Sequence, residues 1–391
     1  MGLTDIQYKE SETGVIPVDW EVKKLCEISV IATGNTPPTN DPSNYGDEFL
    51  FVSPADLGKG KWITQTEKKL SRKGFSISRK FPKNSILFTC IGSTIGKSGM
   101  AHQELTSNQQ INAVLPSSKY SYDFIFYALD YISPRIKSIA GEQAVPIVNK
   151  TLFGETLLAV PHIKSEQTAI ATALSDADAL IENLEELIVK KRNIRQGAMQ
   201  ELLSGKMRLS GFEGNWKSKL LGDMADIKTG KKNNDDKIEH GIYPFFVRSQ
   251  TVERINSYSF DGEAILIPGE GNIGSIYHYI NGKFDYHQRV YKISNFDKNI
   301  CVKYVYYFML QNFNAHAMKN TVKATVDSLR LPNFQRFEVY LPPHLEEQKA
   351  IARILTDFET EIEILQEKLL KYRMTKHAMM QTLLTGKIRL L

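Results

Sequence analysis

SEQTAIATALSDADALIENLEELIVKKRNIRQGAMQELLSGKMRL, residues 165–209, is the stretch that decides the fold, because the chain contains it twice. Residues 161–209 align without a gap with residues 342–390, at a constant offset of 181, and 22 of the 49 aligned pairs are identical. Unrelated sequences of average composition would share about one pair in twenty. The duplication predicts a helical element that is used twice, with a globular segment before each copy.

Apolar residues recur in each copy at alternating spacings of three and four residues, which places them on one face of a helix. This predicted seam contains Ile170, Leu174, Ile181, Leu184, Ile188, Ile351, Leu355, Phe358, Ile362, Leu365 and Leu369. Each helix would be about 55 Å long. The length, the spacing and the matched residues favour an intramolecular coiled coil over two helices that each pack only on their own domain.

Length, charge and cysteine content restrict the class of protein. The 391 residues are enough for two or three domains, and 49 Lys and Arg against 44 Asp and Glu give a net charge of +5. A mildly basic chain is compatible with nucleic-acid binding without requiring it. Cys26, Cys90 and Cys301 show no metal-ligand spacing, and the chain contains neither a signal peptide nor an apolar run long enough for a bilayer. We therefore expect a cytoplasmic protein with no membrane segment.

The globular segments mix strand and helix patterns, which predicts two related α/β (α+β) domains separated by the long helices. Residues 49–53 and 85–90 are predicted strands, and residues 121–139 a helix interrupted by Pro134. The predicted boundaries are a first globular domain at 1–164, a central long helix at 165–209, a second globular domain at 210–345 and a C-terminal long helix at 346–391.

The second globular segment repeats a sparse set of residues from the first. Trp20, Leu25, Gly34, Phe51-Val52, Ile86-Leu87-Phe88 and Asn108-Gln109-Gln110-Ile111 match Trp216, Leu221, Gly230, Phe246-Val247, Ile265-Leu266-Ile267 and His287-Gln288-Arg289-Val290. The helices are alike while the globular segments share only this skeleton. We infer that the globular segments do the same kind of work on two different targets.

Two stretches of the sequence partly match catalytic motifs, a phosphate-binding loop and a nuclease acid cluster. The Gly-rich run from Gly92 to Ser98 has three residues between its glycines where a P-loop has four, and it precedes another strand-like run instead of a helix. Asp56, Glu67 and Lys69 match the loose acid pattern of a metal-dependent nuclease, but in a chain with 24% charged residues a solvated face is the more ordinary interpretation. No Rossmann-type glycine fingerprint is present, so we expect no cofactor or metal in this chain.

Basic and amide side chains on the two domains are the remaining candidates for binding. Gln pairs with adenine and Arg with guanine through two hydrogen bonds, whereas Lys mainly contacts phosphate. The candidate DNA-binding residues are Arg72, Lys73, Arg79, Gln109, Gln110, Lys231, Arg248, Gln288, Arg289 and Lys323. The recurrence of a glutamine-bearing turn at matching places ranks Gln109, Gln110, Gln288 and Arg289 above the others.

The order of domain, helix ending in LLSGKMRL, related domain and helix ending in LLTGKIRL resembles the specificity subunit of type I restriction-modification enzymes. The same family has a tryptophan near the start of each globular segment, here Trp20 and Trp216. It also has a Glu-Gln pair at the start of each long helix, here Glu166-Gln167 and Glu347-Gln348. The resemblance implies that each globular segment is a target-recognition domain that reads one half of a split sequence in double-stranded DNA. It implies that the long helices are spacers, forming an antiparallel coiled coil that separates the domains. It also implies docking of two modification (methyltransferase) subunits and of restriction subunits. S-adenosylmethionine, ATP and Mg²⁺ would then be used in those partners.

Two other classes stay open at this level. One is a DNA-acting enzyme, a nuclease or methyltransferase, with its own active site. The other is a coiled-coil scaffold that binds only protein. Catalysis by the isolated chain would indicate the first class, and a lack of salt-dependent duplex binding would indicate the second.

Overall fold

The computed structural model describes residues 7–141, 145–271, 273–320 and 328–390. The chain divides into two compact units, which we call the first unit, Met1–Leu184 with Lys368–Leu391, and the second unit, Glu185–Glu367. Each unit therefore contains one globular segment and a part of each long helix.

The globular part of the first unit has two five-stranded sheets. Its strands are β1 (Tyr8–Ser11), β2 (Gly14–Pro17), β3 (Trp20–Lys24), β4 (Ile31–Thr33), β5 (Tyr45–Gly46), β6 (Phe49–Val52), β7 (Trp62–Ile63), β8 (Lys68–Leu70), β9 (Lys80–Phe81), β10 (Ile86–Thr89), β11 (Ser98–Ala101), β12 (Leu105–Ser107), β13 (Ile111–Val114) and β14 (Leu157–Pro161). Its α-helices, apart from the long ones, are α1 (Leu25–Ile28), α2 (Arg72–Ile77), α3 (Tyr122–Ile139) and α4 (Lys150–Gly154). The sheet orders are β4-β13-β10-β11-β7 and β5-β8-β6-β12-β9, with β3 paired to β14 and β1 to β2.

The second unit repeats this plan with one six-stranded sheet. After the long helix α5 (Lys164–Leu203) come β15 (Lys217–Leu220), α6 (Leu221–Met224), β16 (Asp226–Thr229), β17 (Tyr243–Phe246), β18 (Glu253–Ile255), β19 (Phe260–Pro268), β20 (His278–Tyr286), β21 (Val290–Ser294), α7 (Val302–Asn320), α8 (Leu331–Gln335), β22 (Glu338–Leu341) and the long helix α9 (Leu345–Leu383). The sheet order is β16-β21-β19-β20-β17-β18, and β15 pairs with β22 as β3 pairs with β14. The mixed α/β class and the two long helices predicted from the sequence are confirmed.

Strand pairing corrects one of the predicted matches between the domains. Phe51 pairs with Thr106 and Val52 with Ser107, whereas Phe245 pairs with Asp285 and Phe246 with Tyr286. Phe51-Val52 is thus equivalent to Phe245-Phe246, and the predicted match with Phe246-Val247 is wrong by one residue. Adjacent apolar residues, Phe49–Val52 in the first unit and 245–247 in the second, allowed more than one register, and only the partner strand distinguishes them.

The long helices pair antiparallel within each unit. In the first unit Lys376 Nζ lies 2.5 Å from a carboxylate oxygen of Asp178. In the second unit Lys191 pairs with Glu361 at 2.7 Å and Arg195 with Glu359 at 3.3 Å. Residue numbers rise on α5 as they fall on α9, which is the antiparallel order that the family resemblance implied.

The predicted seam has two different environments. Ile170 and Leu174 are fully buried in the hydrophobic core of the first unit, and Ile351 and Leu355 lie in the core of the second. Leu184, Ile188 and Ile362 are buried further along the helices, while Ile181, Phe358, Leu365 and Leu369 are half-buried. The first turns of each helix therefore pack on their own globular segment, and the ion pairs between the two helices lie further along them.

The end of one long helix also enters the core that the start of the other helix completes. Met380, Leu383 and Leu384 join Ile170 and Leu174 in the first unit. Met199, Leu202 and Leu203 join Ile351 and Leu355 in the second. Each domain core is therefore built from residues that lie far apart in the sequence.

The arginine of each repeated LLSGKMRL or LLTGKIRL segment holds the start of the opposite helix. Arg389 binds both carboxylate oxygens of Glu166, and its Nη1 and Nη2 also donate to Asp19 at 2.9 and 2.7 Å. Arg208 binds both oxygens of Glu347, at 3.0 and 2.9 Å. The Glu166 and Glu347 side chains are 1% and 0% exposed, so these ion pairs are withdrawn from water.

The glutamine that follows each of these glutamates connects the long helix to the domain. Gln167 accepts a hydrogen bond from the backbone N–H of Ser121 and donates one to the Pro161 carbonyl. Gln348 accepts from the N–H of Cys301 and donates to the Pro342 carbonyl. The repeated Glu-Gln pair is therefore an anchor for both the domain and the helix end.

Helix α3 continues past Pro134, although the sequence predicted an interruption there. A proline removes one backbone hydrogen bond from a helix. Ile136, beyond the proline, is 1% exposed in the core of the first unit. Burial of Ile136 favours the continuous helix over a break.

Candidate nucleic-acid interface

The turn from Asn108 to Gln110 in the first unit is held by its own side chains. Asn108 Oδ1 accepts from the N–H of Gln110 at 3.1 Å, and Asn108 Nδ2 donates to Gln110 Oε1 at 2.9 Å. The N–H of Cys90 donates to the Gln110 carbonyl at 2.8 Å, and the Thr36 hydroxyl donates to Gln109 Oε1 at 2.5 Å. The turn is therefore joined both to β10 and to the loop after β4.

The second unit builds the same turn from different side chains. The N–H of Arg289 donates to His287 Nδ1 at 2.9 Å, so the neutral ring carries its proton on Nε2, which lies 3.1 Å from Asn233 Oδ1. The N–H of Gln288 donates to the Lys232 carbonyl at 2.8 Å. His287 thus replaces Asn108 as the acceptor within the turn.

A glycine brings the neighbouring loop against the turn in each unit. A Cβ on Gly34 would lie 2.2 Å from Ser107 Oγ, and one on Gly230 would lie 2.0 Å from the carbonyl oxygen of Tyr286. Atoms cannot approach so closely, and therefore only glycine fits at either position. The predicted match of Gly34 with Gly230 reflects this shared close approach.

Two candidate arginines meet at one carboxylate in the second unit. Arg289 Nη1 lies 3.0 Å from Glu270 Oε1, and Arg248 Nη1 lies 3.7 Å from Glu270 Oε2. A cavity of about 290 Å³ opens beside them, lined by Asn234, Lys237, Val247, Arg248, Ser249, Glu253, Glu270 and Gly271. The structure thus places Arg248 and Arg289 at one carboxylate, and Gln288 precedes Arg289 in the same turn. Their role in DNA binding stays a prediction.

The other candidates of the first unit lie on its exposed surface. Arg79 lies beside the same loop as Thr36, because its N–H donates to Asn35 Oδ1 at 2.6 Å and its Nη1 to the Thr33 carbonyl at 2.7 Å. Lys73 forms an ion pair with Asp41 at 2.7 Å, which lowers the pKa of that carboxyl to about 2. Arg72 is exposed at the start of α2.

In the second unit, Lys231 is exposed next to Gly230. The predicted DNA-binding residue Lys323 lies outside the described residues, so its role stays a prediction.

The carboxylate of Asp56 has a structural role. One oxygen accepts from the Ser53 N–H and hydroxyl at 2.8 and 2.7 Å, and the other accepts from the Glu67 N–H at 2.8 Å. Asp56 is only 9% exposed, so the predicted solvated face is wrong for this residue, while Glu67 is exposed. The three hydrogen bonds account for the carboxylate that had suggested a nuclease.

The glycine-rich run at 92–98 is the connection of a β-hairpin. Phe88 of β10 pairs with Ser98 of β11, and Gly92 and Gly96 have φ angles of 95° and 101°. These left-handed conformations favour glycine. The run therefore lacks the helix N-terminus that a phosphate-binding loop needs.

Sequence reasoning missed Asn108, His287 and Glu270. Asn108 and His287 belong to the matched turns, so their position two residues before Gln110 and Arg289 was a usable signal. An Asn side chain commonly accepts a hydrogen bond from a nearby backbone N–H. Glu270 gave no such signal, because its contacts depend on the pairing of β19 with β21.

We expect His287→Asn to preserve the turn and to remove a pH-dependent part of its stability. Burial and the nearby Arg248 and Arg289 lower the pKa of His287 below its usual value of about 6.5. The unfolded chain then binds more protons than the folded chain. The contribution of His287 to stability is therefore fully present above about pH 6.5 and is lost as the pH falls from there through the folded pKa. Asn108 makes the same contact in the first unit without titrating.

Denaturant unfolding of the full chain at pH 7.5 and 5.5 tests this expectation. His287→Ala should cost about 1 kcal/mol at pH 7.5 by removing the acceptor of the Arg289 N–H. The pH-dependent loss should be smaller in His287→Asn than in the wild type. An equal loss in both would assign the pH dependence to other groups.

Comparison with known proteins identifies the class that this fold and these paired turns define. The family model described as "Type I restriction modification DNA specificity domain" matches residues 17–190 and 213–371. The match covers most of both globular segments and much of both long helices. The chain therefore belongs to the family of type I restriction-modification specificity proteins, as the resemblance had suggested.

Individual relatives support the same family. The MjaVIII type I restriction enzyme specificity subunit of Methanocaldococcus jannaschii is 24% identical, over 98% of this chain and 96% of that protein. The MjaIX specificity subunit of the same organism is 28% identical over 62% of this chain, and the match spans about 60% of its own length.

A solved structure shares the fold over nearly the whole chain. The S subunit of a type I restriction-modification system from M. genitalium has a TM-score of 0.67 at 18% identity, covering 96% of this chain and 97% of that one. Separately, no helix within the described ranges is both long and apolar enough to cross a lipid bilayer.

Proposed function

We propose that this chain reads a bipartite target in double-stranded DNA, with one half-site recognised by each unit. The observation that carries the proposal is the duplicated turn, which has the same backbone hydrogen bonds at Gln110 and Arg289 but different side chains. A repeated backbone with changed side chains is what two readers of different sequences need. The family relationship supports DNA as the ligand.

The side chains of the two turns suit different bases. Gln109 and Gln110 in the first unit carry amides, which can donate to N7 and accept from N6 of adenine. Arg289 in the second unit carries a guanidinium, which suits O6 and N7 of guanine. Exposed Arg72 and Lys231 are better placed for phosphates, because they are held by no ion pair among the described residues.

We further propose that the helices dock partner subunits, namely two modification subunits and, in the complete enzyme, restriction subunits. Large apolar side chains are exposed on the helices of each unit: Leu180, Leu370 and Met374 in the first, and Val189, Ile194 and Ile364 in the second. Leu370 and Met374 lie one helical turn apart, and Val189 and Ile194 line one open surface cleft. Neighbouring exposed apolar side chains, unlike scattered ones, are a feature of protein-docking surfaces. Methyl transfer with S-adenosylmethionine, and cleavage with ATP and Mg²⁺, would then belong to the partners.

Isolation of the tagged full-length chain from its own cells tests the partner proposal. Intact-complex mass analysis should find two copies of a methyltransferase for each copy of this chain. Methylation or cleavage of DNA by the purified chain alone would instead favour the enzyme alternative. Binding of protein without any duplex binding would favour the scaffold alternative.

We expect Arg289→Ala and Lys231→Ala to affect DNA binding in different ways. Loss of Arg289 should relax the preference at one position of one half-site, by roughly 1–3 kcal/mol. Loss of Lys231 should weaken binding to all sequences about equally and reduce the salt dependence. Binding of the full chain to a randomised duplex library at two salt concentrations measures both effects. A uniform loss in Arg289→Ala would show that this residue contacts phosphate.

A further inference from the structure

The region around Glu270 in the second unit contains a charge arrangement that DNA binding by arginine alone does not require. A carboxylate repels phosphate, so a glutamate between two DNA-contacting arginines should weaken binding unless it has another role. Its side chain is 26% exposed, and each of its oxygens faces a different arginine. The carboxylate is therefore positioned to hold both guanidinium groups at once.

The backbone around Glu270 is fixed independently of these ion pairs. The N–H of Gly269 donates to the Arg289 carbonyl at 2.9 Å, and the N–H of Leu329 donates to the Gly269 carbonyl at 2.8 Å. Glu270 itself forms an isolated bridge with Ser328. Arg289 and Glu270 are thus joined through both backbone and side chain, which limits the positions that the arginine can reach.

We propose that Glu270 is a positioning residue that fixes Arg248 and Arg289 as one guanine-reading pair, an inference that rests on the DNA-reading function proposed above. Glu270 contacts Nη1 of each arginine. Among the described residues, the Nε and Nη2 groups of the two side chains form no hydrogen bond, and the ion pairs of both arginines run through Nη1. That edge can donate two parallel hydrogen bonds to O6 and N7 of guanine. Because one carboxylate holds both arginines, the two guanines should be neighbours in the duplex.

Comparison of the two units supports a coupled role for these three residues. Strand pairing and the hydrogen bonds of the matched turns make Pro54, Ile91 and Gln110 the equivalents of Arg248, Glu270 and Arg289. None of the three residues in the first unit is charged. The carboxylate is therefore present in the unit that has the two arginines and absent from the unit that lacks them.

Glu270→Gln tests the proposal, with Glu253→Gln as its matched control. Glu253 lines the same cavity but pairs with Lys237 at 3.5 Å, so the control makes the same charge change without touching either arginine. Each full-length variant is bound to a randomised duplex library, and the base preferences are read by sequencing.

Glu270→Gln should lower the guanine preference about tenfold at two neighbouring positions of one half-site. The other half-site should be unchanged, and non-specific binding should increase equally in both variants because each loses one negative charge. Three results would each overturn the proposal. The guanine preference could be unchanged in Glu270→Gln, it could fall equally in Glu253→Gln, or the half-site that the second unit reads could contain no guanine. A wild-type chain without any sequence preference would instead contradict the DNA-reading function.

A second measurement tests the positioning role without DNA. Phenylglyoxal modifies accessible arginines, and peptide mass spectrometry reports its rate at Arg248 and Arg289 separately. Both rates should rise several-fold in Glu270→Gln and stay unchanged in Glu253→Gln. Equal rates in the wild type and Glu270→Gln would show that the carboxylate does not hold the arginines.

Discussion

Replacing Arg389 by methionine is expected to lower the free energy of unfolding by about 3–5 kcal/mol, the usual cost of removing one partner of a buried ion pair. The Arg389 side chain is 8% exposed and Glu166 is 1% exposed, so the substitution would leave a carboxylate buried without its partner. Asp19, whose pKa is lowered chiefly by its hydrogen bonds from Arg389, would lose the same partner. Methionine preserves much of the side-chain volume, which separates the charge effect from loss of packing. Denaturant unfolding of the full chain at neutral pH measures the difference.

Two further variants distinguish a buried ion pair from general damage to the C-terminus. Lys387→Met changes an exposed charge two residues away and should alter stability by less than about 0.5 kcal/mol. Adding Glu166→Gln to Arg389→Met should recover part of the loss, because the amide needs no counter-charge. If the double variant is as unstable as the sum of the single variants, the two residues are not coupled.

The repeat made the helices predictable, but not the ion pairs that the ends of each copy form. Periodicity is a local property, so the apolar spacing was sufficient to predict α5 and α9. Their antiparallel order was implied only by the family resemblance. Arg389 and Glu166 are 223 residues apart, and Arg208 and Glu347 are 139 apart. Nothing local connects an arginine at the end of one helix with a glutamate at the start of the other. The only available signal was that both residues belong to the repeat, since Glu166 recurs as Glu347 and Arg208 as Arg389.

The recognition surface was predictable only as far as the turn. The matching of Gln109-Gln110 with Gln288-Arg289 located the turn in both units. The carboxylate that links Arg248 to Arg289 depends on which strands are neighbours, since Glu270 follows β19 and Arg289 precedes β21. The one-residue error at Phe246-Val247 has the same origin, because period-two patterns leave the register of adjacent apolar residues undetermined.

Adding four helix-forming residues after Leu184 and four more after Glu367 is expected to lengthen the preferred gap between half-sites by one or two base pairs. These two points are where the chain passes from one compact unit to the other, so the double insertion leaves every contact within each unit in place. Helix α5 is continuous from Lys164 to Leu203, and four residues add about 6 Å to a helix. One base pair rises about 3.4 Å. Duplexes that carry both half-sites at gaps of different lengths measure the preference directly.

An insertion in one helix only provides the control for this prediction. Four residues after Leu184 alone would put α5 out of register with α9, disturbing the seam around Leu184 and Ile188, and should weaken binding at every gap. The double insertion should instead move the optimum and leave both half-site sequences unchanged, because the Gln109 and Arg289 turns are untouched. An optimum that stays at the original gap would show that the helices do not set the spacing. Altered half-sites would show that the bases are read by residues whose positions depend on the helices, and the two-reader proposal would then be wrong.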